Sequence, residues 1–131
     1  MICKSVTMIS ALLFATVAMC AAAQAEDEYG PLKKMKTTVG EVLTTSEGMT
    51  LYTFDKDKKG VSNCKGDCAK MWPPVKAEKG SKPIGDLTIV ERSDGTMQWA
   101  DEGQPLYTYA KDKKPGDVTG DNVGSVWHVV K

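Results

Sequence analysis

Histidine, cysteine and excess charge of either sign are scarce in this chain, and each scarcity argues against a class of function. The chain has one His, four Cys, and 17 Lys and Arg against 17 Asp and Glu. A single His, without Ser and Asp around it in a catalytic pattern, offers no pairing of a nucleophile with a base. The glycines fall in turn-like stretches and form no phosphate-binding loop. Balanced charge argues against a nucleic acid partner, because nucleic acids are held largely by excess Lys and Arg. We therefore expect a protein that is not an enzyme and uses no cofactor.

The first 25 residues predict a cleaved secretory signal. Lys4 precedes an apolar run over residues 6–23, and the segment ends in the small-residue pattern Ala23-Gln24-Ala25. We expect cleavage after Ala25 and a periplasmic or secreted protein. Cleavage removes one lysine, so the domain of residues 26–131 carries 16 basic and 17 acidic side chains, and its length suits one small domain.

Two alternatives to this signal keep the protein at a membrane. An uncleaved anchor is one, although the apolar run is short for a bilayer and no basic cluster follows it. Acylation of Cys20 is the other, because Val17-Ala18-Met19-Cys20 resembles a lipobox. The sequence predicts contact with a membrane only if one of these alternatives holds.

Removal of residues 1–25 leaves two cysteines, Cys64 and Cys68. In an exported protein, two cysteines this close in sequence predict a disulfide. A redox couple is the functional alternative, but the Cys-x-x-Cys of dithiol enzymes and the Cys-x-x-Cys-His of haem attachment are both absent. A bridge closing so short a loop adds only about 2 kcal/mol on the chain-entropy model.

The chain contains one unit twice. The string LYTFDKDKK over Leu51–Lys59 returns as LYTYAKDKK over Leu106–Lys114, at an offset of 55 residues. The same offset relates Glu47-Gly48 to Glu102-Gly103, Trp72 to Trp127, Val75 to Val130 and Lys76 to Lys131. Neither unit is large enough to bury a core alone, so we expect the two to pack as halves of one domain.

Local patterns in both units are typical of β-hairpins. Val, Thr, Tyr and Phe flank the turn signals Ser46-Glu47-Gly48, Ser93-Asp94-Gly95 and Asp101-Glu102-Gly103. A helix is indicated only around Ala69-Lys70-Met71. We predict an all-β domain of two fused, hairpin-containing repeats of about 55 residues with one disulfide. Repeat one covers about 36–76, a surface connection follows over about 76–86, repeat two covers about 87–131, and residues 26–36 are a loosely held tail.

Strand alternation assigns faces to the repeated residues. Tyr52 and Phe54 share one face of their strand, as do Tyr107 and Tyr109, while the Leu and Thr neighbours point the other way. The sequence predicts burial of these rings, and an exposed aromatic platform for a sugar, peptide or haem-like ligand, including Trp99, is the alternative.

Three further pairs of equivalent positions carry structural predictions. Asp57 and Asp112 occupy the same position in both units, and we expect each to close the turn after its strand as an Asx-type cap. We expect Trp72 and Trp127 to pack in the core or between repeats. The segment 119–123 matches the cysteine-bearing 64–68 without cysteines, which favours a structural staple over a redox centre.

Metal binding is a second functional alternative. The weak candidate ligands are Asp55, Asp57, Asp112, Asp117 and His128. For calcium, Asp55-x-Asp57 opens like an EF-hand loop, but Lys59 and Gly66 stand where ligands belong. For copper, the fold would have to assemble His128 with Met35, Met49, Met71 and Met97.

Together these motifs resemble a known family. Tyr52-Thr-Phe54-Asp-Lys-Asp57 and Tyr107-Thr-Tyr109-Ala-Lys-Asp112 fit Y-x-[FWY]-x-x-D, and Cys64-x3-Cys68-Ala-x2-Trp72-Pro-Pro follows the first copy. The chain is similar to the bacterial secreted repeats and predicted lipoproteins named for that motif. The resemblance implies export and a repeated β unit, and it brings no known catalytic residues.

We therefore expect an exported, non-enzymatic binding or envelope-interaction module. Its partner would be an unknown extracytoplasmic ligand or a component of the cell envelope. An extracytoplasmic protein that binds calcium or copper is the alternative, and a thiol-disulfide redox protein is the next one.

Overall fold

A computed structural model describes residues 30–131, which form short strands with one brief α-helix. The predicted signal segment, its cleavage site and Cys20 lie outside the described residues. Within residues 30–131, no helix is long and apolar enough to cross a bilayer. In chain order the elements are β1 (Leu32–Thr37), β2 (Gly40–Thr45), β3 (Tyr52–Phe54), α1 (Asp67–Met71), β4 (Lys76–Ala77), β5 (Leu87–Glu91), β6 (Met97–Asp101), β7 (Gln104–Pro105), a 3-10 helix (Val123–Ser125) and β8 (Trp127–Val129). This confirms the all-β prediction, and α1 lies where a helical turn was expected, whereas the 3-10 helix was not anticipated.

Each repeat opens with an antiparallel hairpin. In repeat one β1 pairs with β2, placing Leu32 opposite Thr45. In repeat two β5 pairs with β6, placing Leu87 opposite Asp101. The first strands begin 55 residues apart, at Leu32 and Leu87, so the duplication extends to the start of both hairpins.

The prediction of a loose tail over 26–36 is wrong for its last five residues. Leu32 begins β1 and is buried, whereas Lys33 and Lys36 on the same strand are exposed. Three of the six residues of this strand are lysines, so the sequence shows no run of apolar residues there. A half-buried strand nevertheless needs apolar side chains on only one face.

The Glu-Gly pair of repeat two makes a two-residue hairpin turn. Glu102 and Gly103 connect β6 to β7 with φ of 51° and 87°. Positive φ at both loop residues is the requirement of a type I′ turn, whose twist matches that of the flanking strands. Gly relieves the steric cost at the second position.

The two repeats exchange their strands. The aromatic strand β3 of repeat one pairs with β8 of repeat two, placing Phe54 opposite Trp127. In the reverse direction, Tyr107 of repeat two forms a bridge with Pro74 of repeat one, and β4 of repeat one pairs with β6 of repeat two. Each repeat therefore completes the sheets of the other.

Tyr52 and Tyr107 lie at the centre of this exchange. The Tyr52 amide donates to the Tyr107 carbonyl at 2.8 Å, and the Tyr107 amide donates to the Tyr52 carbonyl at 3.0 Å. Equivalent residues that bond to each other in both directions mark a local pseudo-two-fold axis.

The exchanged strands separate two buried clusters, as strand alternation predicts. Leu51 and Leu106 enter the first cluster, whereas Tyr52 and Tyr107 enter the second. The first cluster also contains Leu32, Leu43, Ala77, Leu87, Trp99 and Val130. The second is aromatic and also contains Cys64, Trp72, Tyr109 and Trp127.

Candidate functional site

The repeated tyrosines and aspartates meet across the repeats. Tyr52 of repeat one donates its phenol proton to Asp112 Oδ2 of repeat two at 2.7 Å. Tyr107 of repeat two donates to Asp57 Oδ2 of repeat one at 2.6 Å. Both phenols are fully buried, and the two carboxylates are 8% and 6% exposed. Each motif therefore supplies its tyrosine to the carboxylate of the other motif.

The second oxygen of each carboxylate closes a loop of its own repeat. Asp57 Oδ1 accepts the Asn63 amide at 2.6 Å, and Asp112 Oδ1 accepts the Thr119 amide at 2.9 Å. The prediction that each aspartate caps the turn directly after its strand is therefore wrong. The carboxylates instead accept amides six and seven residues further along the chain. Each aspartate therefore joins a loop of its own repeat to the tyrosine of the other repeat.

A buried arginine extends the network on one side only. Arg92 is 8% exposed, and it donates to Ser62 Oγ at 3.0 Å and to Gln98 Oε1 at 2.9 Å. Ser62 Oγ lies 2.6 Å from the Tyr107 hydroxyl. Because the Tyr107 proton is directed at Asp57, Ser62 must donate to Tyr107. Three directed hydrogen bonds thus run from the guanidinium to the carboxylate.

Ser62, Arg92 and Gln98 were missed by the sequence analysis because they lie outside the repeated strings. Position 37, which corresponds to Arg92 at the 55-residue offset, is a threonine. Strand alternation could have indicated Arg92, since it follows buried Val90 by two residues and therefore falls on the same face.

The buried groups have shifted proton affinities. Burial, followed by the hydrogen bond to Asp112, raises the pKa of Tyr52 above its ordinary value. Burial, followed by the bond to Asp57, raises the pKa of Tyr107 in the same way. Burial also raises the pKa of Asp57, against the lowering effects of Tyr107, the Asn63 amide and Arg92. Both tyrosines therefore remain protonated hydrogen-bond donors at neutral pH and are poor candidates for bases.

Four aromatic rings stack beside this network, alternating between repeats. Trp72 and Trp127 stack at 3.8 Å with an interplanar angle of 2°. Tyr109 of repeat two stacks on Trp72 at 3.9 Å, and Phe54 of repeat one stacks on Trp127 at 4.2 Å. The tryptophans thus pack between the repeats. Tyr109, Trp72 and Trp127 are buried, as is Trp99 in the first cluster, so these rings do not form the exposed platform considered as an alternative.

The disulfide joins Cys64 and Cys68, with a Cα–Cα distance of 5.2 Å. Cys64 is fully buried against the aromatic cluster, and its carbonyl accepts a hydrogen bond from Arg92 at 2.8 Å. In repeat two the corresponding turn contains Gly120, where a Cβ atom would stand only 2.9 Å from the rings of Trp72 and Tyr109. The bridge and the glycine are therefore two local solutions to packing backbone against the same stack.

The metal-ligand candidates lie in separate settings. Asp57 and Asp112 belong to the two tyrosine pairs. Asp55 contacts the His128 ring at 2.9 Å on the exposed surface. Asp117 accepts the Lys113 and Lys114 amides, which lower the pKa of its carboxyl. Among residues 30–131, no group of three or more His, Cys, Asp or Glu side chains could hold a metal ion.

The copper candidates are distributed over several elements. Met35 is in β1, Met71 is exposed in α1, and Met97 is in β6 against the first cluster. Met49 lies in the connection between β2 and β3, where its carbonyl accepts the Thr45 amide.

A charged cavity of about 300 Å³ lies where the two hairpins meet. Its apolar lining is Leu43 of β2, Leu87 of β5 and Val130 near the C-terminus. Its charged lining consists of Lys34, Lys131, Asp86 and Asp101. Both repeats therefore contribute to the cavity, and both signs of charge border it.

Backbone hydrogen bonds hold the walls of this cavity in place. The Leu43 amide donates to the Val130 carbonyl at 2.8 Å, and the Glu102 amide donates to the Asp86 carbonyl at 2.7 Å. Burial raises the pKa of Asp101, and the nearby charges of Glu102 and Asp86 raise it further, whereas Lys34 lowers it. A cationic group placed beside Asp86 and Asp101 would relieve the repulsion between their carboxylates.

These features define a class of protein: an all-β, disulfide-containing domain of two repeats that exchange strands and bury the tyrosines and aspartates of their motifs. Residues 33–76 and 88–131 each match a family described as a secreted repeat of unknown function. The chain belongs to that family, which confirms the resemblance drawn from its motifs, and the description agrees with an extracytoplasmic location. No curated protein and no solved structure matches the chain.

Proposed function

We propose that this protein is an exported, non-enzymatic binding module of the cell envelope, and that its ligand site is the cavity between the two hairpins. The observation that carries the proposal is the composition of that cavity, in which two carboxylates and two ammonium groups border an apolar floor. The non-enzymatic part is supported by the repeated tyrosines and aspartates, which bond to one another in the interior.

The cavity suits a small group that carries both signs of charge. The ammonium group of the ligand would lie near Asp86 and Asp101, and the carboxylate of the ligand would lie near Lys131. Ligand pockets in proteins usually measure about 300–1,000 Å³, so a cavity at the lower limit fits a group the size of an amino acid. The free end of an envelope peptide has this chemistry. We further propose that the protein acts as a free domain after cleavage at Ala25.

Titration with alanyl-alanine, followed by amide chemical shifts of the oxidised protein, tests the ligand site. We expect saturable shifts around Asp86, Asp101 and Lys131. Asp101→Asn should weaken them, whereas the matched change Asp94→Asn, in the exposed β5–β6 turn, should not. A dipeptide blocked at both ends provides the ligand control. Equal shifts with the free and blocked dipeptides, or no shifts with either, would contradict the proposed site.

A further inference from the structure

We propose that two copies of this chain can exchange repeats, so that repeat one of each copy packs on repeat two of the other in a closed, two-fold dimer. The partner is a second copy of this chain, and the surfaces involved are those that the repeats already present to each other. This inference is independent of the proposed ligand.

The contacts that join the repeats occur in equivalent pairs. The Val130 amide donates to the Leu51 carbonyl at 3.2 Å, and the Val75 amide donates to the Leu106 carbonyl at 3.0 Å. The Asp55 amide donates to the Val126 carbonyl, and the Ala110 amide donates to the Met71 carbonyl, both at 2.8 Å. The two tyrosine–aspartate bonds and the outer pairs of the ring stack follow the same rule.

None of these bonds requires both repeats to belong to one polypeptide. A repeat from a second copy would present the same donors, acceptors and rings in the same order. What assigns each repeat to its partner is the connection over residues 78–86. Exchange between identical chains through such a connection is a low-cost route to a dimer.

The length of the connection permits pairing within one chain. Strands β4 and β5 lie on opposite sides of β6, so they are about 10 Å apart across the sheet. Ala77 lies opposite Met97 and Leu87 lies opposite Asp101, which adds a displacement of about 13 Å along β6. The direct separation from Ala77 to Leu87 is therefore about 16 Å, and the real path is longer because it must pass around β6.

A shorter connection cannot cover this separation. Deletion of residues 78–83 leaves three residues between Ala77 and Leu87, and four extended Cα steps reach at most about 14 Å. In the intact protein Ile84 also bonds to Leu87 in both directions, which occupies part of the remaining chain.

The test is the oligomeric state of the oxidised deletion variant, measured by light scattering on a sizing column. We expect a dimer with twice the monomer mass and an unchanged near-ultraviolet circular dichroism spectrum. The matched control replaces residues 78–83 with six alternating Gly and Ser residues and should remain a monomer. A folded monomer of the deletion variant would overturn the proposal.

A second measurement applies even if the deletion variant does not fold. A protease recognition site is placed within 78–83 of the full chain, and the folded protein is then cut there. We expect the halves to stay together, to separate in denaturant without reductant, and to regain the native spectrum as a one-to-one complex on dilution. Halves that do not recombine would show that recognition between repeats requires one continuous chain, and would overturn the exchange dimer.

Discussion

Each tyrosine–aspartate hydrogen bond should be measurable as a coupling free energy between the two repeats. We consider Tyr52→Phe, Asp112→Ala and the double variant, together with the equivalent cycle for Tyr107 and Asp57. A hydrogen bond between a neutral donor and a charged acceptor contributes about 1.5–3 kcal/mol, and both acceptors are almost fully buried. We therefore expect a coupling free energy of about 1.5–3 kcal/mol for each bonded pair. Each Tyr→Phe change also removes an acceptor, that of the Gly120 amide at Tyr52 and that of Ser62 Oγ at Tyr107, so the two single changes should cost similar amounts.

The assay is the free energy of unfolding in urea, with the disulfide intact. For a domain of about 100 residues, a loss of 1 kcal/mol lowers the melting temperature by about 4–8 °C, so thermal melts provide a second measurement. The m-value should be the same in all variants if the transition remains two-state.

The informative control is the pair within one repeat. Tyr52 with Asp57, and Tyr107 with Asp112, are the neighbours in sequence, but their side chains bond to the opposite repeat. Their cycles should give couplings within about 0.5 kcal/mol of zero, as is usual for residues that do not interact. Couplings within a repeat that equal or exceed those between repeats would refute the exchanged arrangement.

Three other predictions concern pH, the bridge and the separate repeats. Because Tyr52 and Tyr107 have raised pKa values in the folded state, the unfolded chain loses their protons first, and the free energy of unfolding should fall as the pH rises above about 10. The phenolate absorbance of these two residues should appear only on unfolding. Titration of both phenols at about pH 10 in the folded protein would contradict this prediction. Replacing Cys64 and Cys68 together by Ala should cost about 2 kcal/mol in urea without loss of the fold, and a bridge whose Cys64 side is fully buried should resist millimolar glutathione, whereas ready reduction would favour the redox alternative. Either repeat expressed alone should give the circular dichroism of an unfolded chain, and a stably folded single repeat would show that the exchanged strands are dispensable.

The duplication made much of this architecture predictable. An offset of 55 residues identified equivalent strands, and alternation assigned Leu51 and Tyr52 to opposite faces, which the two clusters confirm. The disulfide followed from the location of Cys64 and Cys68. These features depend on local pattern, which a single sequence records directly.

The exchange could not be predicted from the same pattern. Because the repeats carry nearly identical strands, Tyr52 has the same local preference for its own Asp57 as for Asp112, and only the tertiary structure distinguishes them. The buried Leu32 of the first hairpin was likewise hidden by the lysines of β1. Arg92 was not predicted because repeat one has no arginine at the equivalent position, and a comparison of the two repeats identifies only the residues that they share.

The reciprocal bonds between Tyr52 and Asp112 and between Tyr107 and Asp57 also bear on how such a protein could arise. A chain with one repeat would leave its tyrosine without a carboxylate unless it met an identical chain, and that homodimer would contain the same two bonds. Tandem duplication of its gene would then join two subunits that already fitted, without a new interface. Once the halves were fused, each could change separately. Repeat two has Arg92 where repeat one has Thr37, and repeat one has the disulfide where the corresponding turn of repeat two has Gly120. In a strict homodimer both subunits would have carried the same residue at each of these positions.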